Sequence, residues 1–241
     1  IIGGHTFESR NYSNKPYTLG VDLALSVQGV LKVDQRPWNK HGMKPGDVLL
    51  MSRPLGVGIF FAACMKNINV YESYKEIFKN LVTSQHNLIE NIQSIQEKFQ
   101  IQIVNAATDI TGYGFLGHLN EMIQATNLKR REENLKDLKV ILNMNSFKAY
   151  PGVIDLINKG IQSTLFEENY KILDFLRYKS QERIIDFNLG NDINPIKVSV
   201  IKKLLCDPQT CGPLLISCNA KFEKYFDNNW YKVGIVDDKD N

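Results

Sequence analysis

The chain has 241 residues, 43% of them hydrophobic, with 29 basic against 26 acidic side chains and a formal net charge of +3. This is enough for a full core, as one large domain or one domain plus a fragment, and the charge balance is too even to argue by electrostatics for a nucleic-acid or membrane-surface partner, so neither is expected. The longest apolar run, Gly56 to Met65, is about half a membrane span and the N-terminus lacks the basic flank and cleavage site of a signal peptide, so a cytoplasmic protein is expected.

The chain opens on IIGGHTFE without an initiator Met, which marks it as an expected piece of a longer polypeptide. Residues 17–31 alternate apolar and polar as a strand does, and DQRPWNKHGMKPGD (Asp34 to Asp47) then breaks all periodicity with Pro and Gly, placing a domain boundary there. Val48 to Met51 reads as a short buried strand that turns at Pro54 and Gly56 into an apolar helical segment. From Tyr74, the spacing of Ile77, Phe78, Leu81, Leu88, Ile89, Ile92, Ile95 and Phe99 predicts one long or two consecutive amphipathic helices, their apolar face packed on a core. IQIVNAAT (Ile101 to Thr108) is a strand, and Phe115, Leu116, Leu119, Met122 and Ile123 mark one face of the helix after it.

LKVILNMN (Leu138 to Asn145) is another strand, GVIDLINKG (Gly152 to Gly160) a short helix stopped by glycine, and Glu167 to Tyr178 a helix. Residues 179–197 are polar and give no assignment. VSVIKKLL, GPLLISC and NWYKVGIV bracket the turn CDPQTCGP, the last two as strands. Interleaved strands and helices predict an α/β (α+β) domain, a mixed β-sheet layered with helices.

TDITGYGFLGHLNEM (Thr108 to Met122) holds Gly112, Gly114 and Gly117 in a Gly-x-Gly-x-x-Gly run between strand and helix, the layout of a dinucleotide fingerprint. Asp109 argues against that reading, because its charge would repel the anion that such a turn and helix N-terminus attract. A divalent cation removes the conflict, since Mg2+ typically takes one or two carboxylates plus phosphate oxygens. The stretch therefore reads as a metal-plus-phosphate loop, with Asp109 as metal ligand; a helix N-cap is the other role open to that carboxylate. Gly112 and Gly114 suit backbone approach to a ligand, positive φ or close packing, and His118 with Glu121 one turn on suits a solvated or locally paired helical histidine. The four cysteines lack a Cys-x-x-Cys pair, so neither disulfides nor zinc are indicated, and Cys211, in a polar turn, is the thiol expected to be exposed.

Three separated strings, IGGHTFES (Ile2 to Ser9), TDITGYGFLGHLNEM and CDPQTCGPLLIS (Cys206 to Ser217), resemble selenophosphate synthetase, of the superfamily that includes aminoimidazole ribonucleotide synthetase; KPGDVLLMSRPLGVGI and YPGVIDLINKG fall in the family's order between them. The resemblance implies the C-terminal domain fold of the latter enzyme for residues 43–241, a linker over 31–42, and over 1–30 the tail of an N-terminal domain that binds ATP and forms a homodimer. It also implies the reaction of ATP, selenide and water to selenophosphate, AMP and phosphate, with Mg2+ bound in part by Asp109. Gly3, Gly4 and His5 of GGHT match the segment that contacts ATP, where a glycine turn is the alternative reading. The family's nucleophilic Cys and its Lys are implied upstream, so the fragment alone is expected to be inert. Cys211 replaces the family's serine, Pro213 its second glycine, and IQST the PGGT expected after Gly160. These departures leave open a non-catalytic module fused to another enzyme, such as a flavin and pyridine-nucleotide oxidoreductase, or a sister ATP-dependent enzyme with another substrate.

Overall fold

The computed structural model describes residues 26, 28–31, 36–178, 184–190 and 195–239. The chain divides into two compact units, Ile1–Pro37 and Trp38–Asn241, and every element below belongs to the second. The strand expected over 17–31 falls mostly outside the described residues, and residues 26 and 28–31 carry no regular structure.

Strand β1 (Asp47–Met51) sets the layering. It is buried along its whole length, so its period-2 alternation feeds two cores: Leu49 and Met51 enter a large one, Val48 and Leu50 a smaller one on the opposite face. β2 (Val104–Asp109), β3 (Leu138–Asn143), β4 (Ile185–Asn188), β5 (Leu214–Asn219) and β6 (Tyr231–Asp238) complete a sheet of order β2-β5-β1-β6-β3-β4. Only β3 and β4 pair in parallel; the other four pairings are antiparallel. β4 lies in the stretch that sequence periodicity left unassigned, and its four residues are too short to establish a period.

The large core is covered by α1 (Val57–Met65), α4 (Gly114–Glu132), α5 (Val153–Asn158) and α8 (Pro195–Cys206). The small one is closed by α3 (His86–Phe99) through Ile92 and Ile95, and by a 3-10 turn (Ala220–Tyr225) through Phe222. The apolar stripe that begins at Tyr74 is two helices, α2 (Tyr71–Val82) and α3, separated where Thr83 takes an extended conformation. The helix expected over Glu167 to Tyr178 is likewise divided, into α6 (Phe166–Tyr170) and α7 (Ile172–Tyr178). VSVIKKLL is the body of α8.

This topology excludes a dinucleotide-binding βαβ unit. The strand before the glycine run, β2, has an antiparallel neighbour, β5, and α4 leads to β3, from which β2 is separated by β5, β1 and β6. A dinucleotide fold needs a parallel sheet at that point. The pairings also determine what gathers at one end of the sheet. Asp109 lies opposite Leu214 and Met51 opposite Leu215, so the C-terminal ends of β1 and β2 meet the turn that enters β5.

Two buried polar side chains fasten the layers. Asp47 accepts from Ser217 Oγ (2.6 Å), Asn105 Nδ2 (2.9 Å) and the Lys44 amide (3.0 Å), joining β1, β5 and β2. Asn127 on α4 accepts from the Leu138 amide (2.7 Å) and donates to the Leu138 carbonyl (3.0 Å), holding the helix to the start of β3. Replacing Asn127 by Ala strands buried hydrogen-bonding groups on β3 and is expected to cost about 2 kcal/mol, read as a lowered urea midpoint with unchanged slope.

Candidate functional site

At this end of the sheet the helix α1 opens on Gly56, and no side chain near it in sequence caps its first amides. Those buried amides are donors without an intrahelical acceptor and need partners. The partners come from the turn Cys206 to Pro213. Gln209 Oε1 accepts from the Gly56 (2.9 Å) and Val57 (3.1 Å) amides, and Asp207 Oδ2 accepts from the Ile59 amide (2.9 Å). Asp207 Oδ1 meets Ser163 Oγ at 2.7 Å, and Gln209 Nε2 donates to the Asp207 carbonyl. Both side chains are buried, Asp207 completely. Burial pushes the Asp207 carboxyl up to about 7, against the opposing pull of Ser163 and the Ile59 amide.

The same turn grips the loop between β2 and α4. The Gln209 amide donates to the Thr111 carbonyl (3.0 Å) and the Ile110 amide to the Pro213 carbonyl (2.9 Å). Asn169 Nδ2 bridges the Gly112 (2.8 Å) and Cys206 (3.1 Å) carbonyls. Gly114 sits at φ +66 with a Cβ position only 2.7 Å from the Cys206 carbonyl oxygen, so both conformation and space demand glycine. Gly58 on α1 is needed for close approach alone, its Cβ position lying 2.3 Å from the Pro208 carbonyl oxygen. Gly112 differs: nothing stands within 4 Å of its Cβ position, so it leaves open space in front of the loop.

Asp109 ends β2 beside that open space. Among the described residues its carboxylate makes no hydrogen bond or ion pair, and α4 starts at Gly114 with Tyr113 as an uncapped N-cap. The N-cap role for Asp109 is thereby excluded. A half-buried carboxylate without a protein partner, next to a loop that no side chain fills, is a donor set suited to a hard cation. Among the described residues no three His, Cys, Asp or Glu side chains converge to hold a metal, so such a cation would need oxygens from elsewhere.

His118, on the first turns of α4, is buried and locally paired. Its Nδ1 lies 3.1 Å from Glu121 Oε2 and its Nε2 3.1 Å from Thr111 Oγ1; Lys40 Nζ donates to the same Glu121 oxygen at 2.7 Å. Burial pulls the His118 imidazole below its ordinary value, more than Glu121 raises it. Burial works to raise the Glu121 carboxyl, but Lys40 and His118 outweigh it and hold it below the usual range.

Residues 44–143 match the family model described as AIR synthase related protein, C-terminal domain. The chain is similar to the selenide, water dikinase of Campylobacter jejuni subsp. jejuni serotype O:2, 28% identical over 221 residues, which is 92% of this chain and 52% of that protein. It is also similar to the selenide, water dikinase of Clostridioides difficile strain 630, 29% identical over 239 residues, 99% of this chain and 57% of that protein. The chain thus spans about half the length of the curated relatives it matches. A crystal structure of the hydrogenase maturation protein HypE superposes with a TM-score of 0.50 at 12% identity, over 86% of this chain and 49% of that one, which shows a shared fold.

Gly3, Gly4 and His5 lie outside the described residues, while Asp109, the Gly112–Gly114 loop and the Cys206–Pro213 turn are brought together. Cys211 is exposed, as its polar surroundings suggest, and adopts φ +47. Pro213 has no amide to offer, yet its carbonyl still serves Ile110. Arg53 escaped the sequence reading. The residue is 8% exposed, and its guanidinium donates to the Cys211 and Thr83 carbonyls, fixing the turn against the end of α2. The Asp207 and Gln209 contacts were equally hidden, because the helix they cap lies far away in sequence.

A folded-state carboxyl near 7, well above the roughly 3.9 of an unfolded Asp, means that the folded chain holds a proton that the unfolded chain has released between those values. The stability gained from it is full below about pH 4 and is lost as pH rises through 7. Asp207→Asn mimics the protonated acid, accepting from Ile59 and donating to Ser163. It is expected to flatten the decline in urea midpoint between pH 5 and 8 and to match or exceed the original chain at pH 8. Gly114→Ala, by contrast, is expected to lower stability by about 2 kcal/mol or more at every pH, through φ strain and the clash with Cys206.

Proposed function

We propose that the polypeptide carrying this chain is a selenophosphate synthetase, transferring phosphate from ATP to selenide with release of AMP and phosphate, and that Asp109 helps hold the Mg2+ of Mg–ATP. The observation that carries this reading is the unpartnered carboxylate of Asp109 beside a loop clamped by the Asp207–Gln209 turn and left open at Gly112. The relatives named selenide, water dikinase along 92% and 99% of the chain support the substrate class.

In this reading phosphoryl transfer asks the protein mainly for positioning and charge neutralisation, and Mg2+ would supply the latter at the phosphate oxygens. This chain contributes three things: an anionic ligand, a backbone that no side chain obstructs, and a joint that keeps both at a set distance from α1. Gly3, Gly4 and His5 belong to the ATP-contacting segment, the catalytic Cys and Lys lie upstream, and the active protein is a cytoplasmic homodimer.

The test is selenide-dependent AMP formation by the full-length polypeptide. Asp109→Asn is expected to reduce kcat/KM on the order of 100-fold or more while the far-UV circular dichroism is unchanged. Full activity in that variant would remove Asp109 from the site. A folded full-length protein with no selenide-dependent turnover would instead favour a diverged, non-catalytic module.

A further inference from the structure

β4 ends the sheet, and its outer edge has no strand beside it among the described residues. The ladder with β3 determines which backbone groups are left over. The Val140 and Met144 amides donate to the Ile184 and Asn188 carbonyls, so Ile184, Asp186 and Asn188 direct their backbone groups toward β3. In a parallel pair the residues between these turn the other way. Ile185 and Phe187 therefore direct their N–H and C=O groups outward, where no described residue bonds them.

The two faces of this edge differ. Side chains alternate along a strand, so Ile185 and Phe187 turn to the large core and Asp186 to the opposite face. On the core side a cavity of about 280 Å³ is walled by Tyr170, Leu173 and Leu176 of α6 and α7 and by Ile185 and Phe187 of β4. That is the liquid share of about nine water molecules, room for a single side chain. The other charged groups lining it, Asp174 on α7 and Lys202 over the Phe187 ring, are opposite in sign, so an apolar side chain suits it best. On the far face Asp186 stands across from Ile141, and Ile141 from Ile235, which leaves the carboxylate without a cation directly across the ladder. Among the described residues it makes no hydrogen bond or ion pair.

Unpaired edge groups are a template for another strand, and the charge of Asp186 selects which. A second copy of this chain fits badly: the symmetric antiparallel register that uses both Ile185 and Phe187 sets Asp186 against its own copy, and like charges directly opposite destabilise a pair. A foreign strand with a basic residue meets both faces. Paired antiparallel, it sets that residue across from Asp186 and its two neighbours, both apolar, on the cavity side. We propose that the free edge of β4 is a docking site for an extended peptide segment of another protein, of the pattern apolar, basic, apolar, which adds a seventh strand to the sheet. Ile185 and Phe187 supply main-chain hydrogen bonds, Asp186 selects the charge, and the cavity takes one apolar side chain. β4 and β2 are the opposite edges of the sheet, so this site is independent of the role given to Asp109.

The probe is a fluorescein-labelled peptide, Ser-Thr-Val-Lys-Phe-Thr-Ser, titrated into the full-length polypeptide by fluorescence anisotropy, with amide hydrogen exchange to locate the contact. Saturable binding is expected, with slowed exchange over residues 184–190. Glu in place of the peptide's Lys should weaken binding about tenfold or more. Asp186→Lys should invert that preference, so that the Glu peptide binds about tenfold more tightly than the Lys peptide. N-methylation of the peptide's Val and Phe amides, which face β4, should abolish binding, whereas N-methylation of its Lys amide, which faces away, should not. Leu176→Trp, which fills the cavity, should weaken the Lys peptide without changing the preference between the two. Absence of saturation, equal affinity for both peptides in the original chain and in Asp186→Lys, or protection confined to other segments would each overturn the site. Slowed exchange at Ile185 and Phe187 that grows with protein concentration alone would overturn it in favour of a second copy.

Discussion

The arrangement of this molecule depends on how the first turn of α1 finds its hydrogen-bond acceptors. A helix that starts on glycine with no capping side chain leaves several amides facing into a packed interior, where each unmet donor costs about 1–3 kcal/mol. Here the acceptors are Gln209 and Asp207, 148 to 153 residues further along the chain. Because Gln209 also donates its own amide to Thr111, one turn joins the segment after β1 to the loop after β2. Arg53 adds a third tie, from the end of β1 back to Cys211. What looks like a glycine-rich ligand loop is therefore a loop whose position is set by a distant acid and amide.

That arrangement divides the conspicuous residues between structural and functional roles. Gly58 and Gly114 are required by the packing of the turn on α1 and on α4, and Asp207, buried and bonded to Ser163 and Ile59, has no room to meet a ligand. The Gly112 side faces open space and the Asp109 carboxylate has no such duty. The clamp thus holds in place a loop whose backbone groups are bonded while one carboxylate beside it has no protein partner among the described residues, the condition expected where supporting contacts are satisfied and a working one is left free.

Local patterns made most of the fold legible, and non-local contacts account for what was missed. The strand at Val48–Met51, the α2 and α3 stripe, the β2-to-α4 transition and the two final strands follow from hydrophobic period and turn residues. The breaks at Thr83 and Lys171 do not, since apolar spacing can run through a short interruption without losing phase. β4 was not legible because four residues flanked by polar ones give no period, and its strand character is supplied by pairing with β3. At the site, the charge of Asp109 beside an anion-attracting turn was a local conflict and could be read directly. The capping by Asp207 and Gln209, the burial of Arg53 and the Lys40–Glu121 pair join residues 81 or more apart, except where Arg53 reaches Thr83, and only the sheet order brings them together. A helix opening on Gly56 with no cap nearby was the one available hint that its partner lay elsewhere.

The Cys206–Pro213 turn is a joint holding α1 and the Asp109 loop as one unit. Native-state amide hydrogen exchange, resolved by NMR, tests it most directly with Gln209→Ala. In this variant the Gly56, Val57 and Ile59 amides of α1 and the Ile110 and Gly114 amides of the loop are expected to exchange faster together, while those of β3 and β6 keep their protection. Faster exchange confined to α1, with the loop after β2 as protected as before, would contradict it.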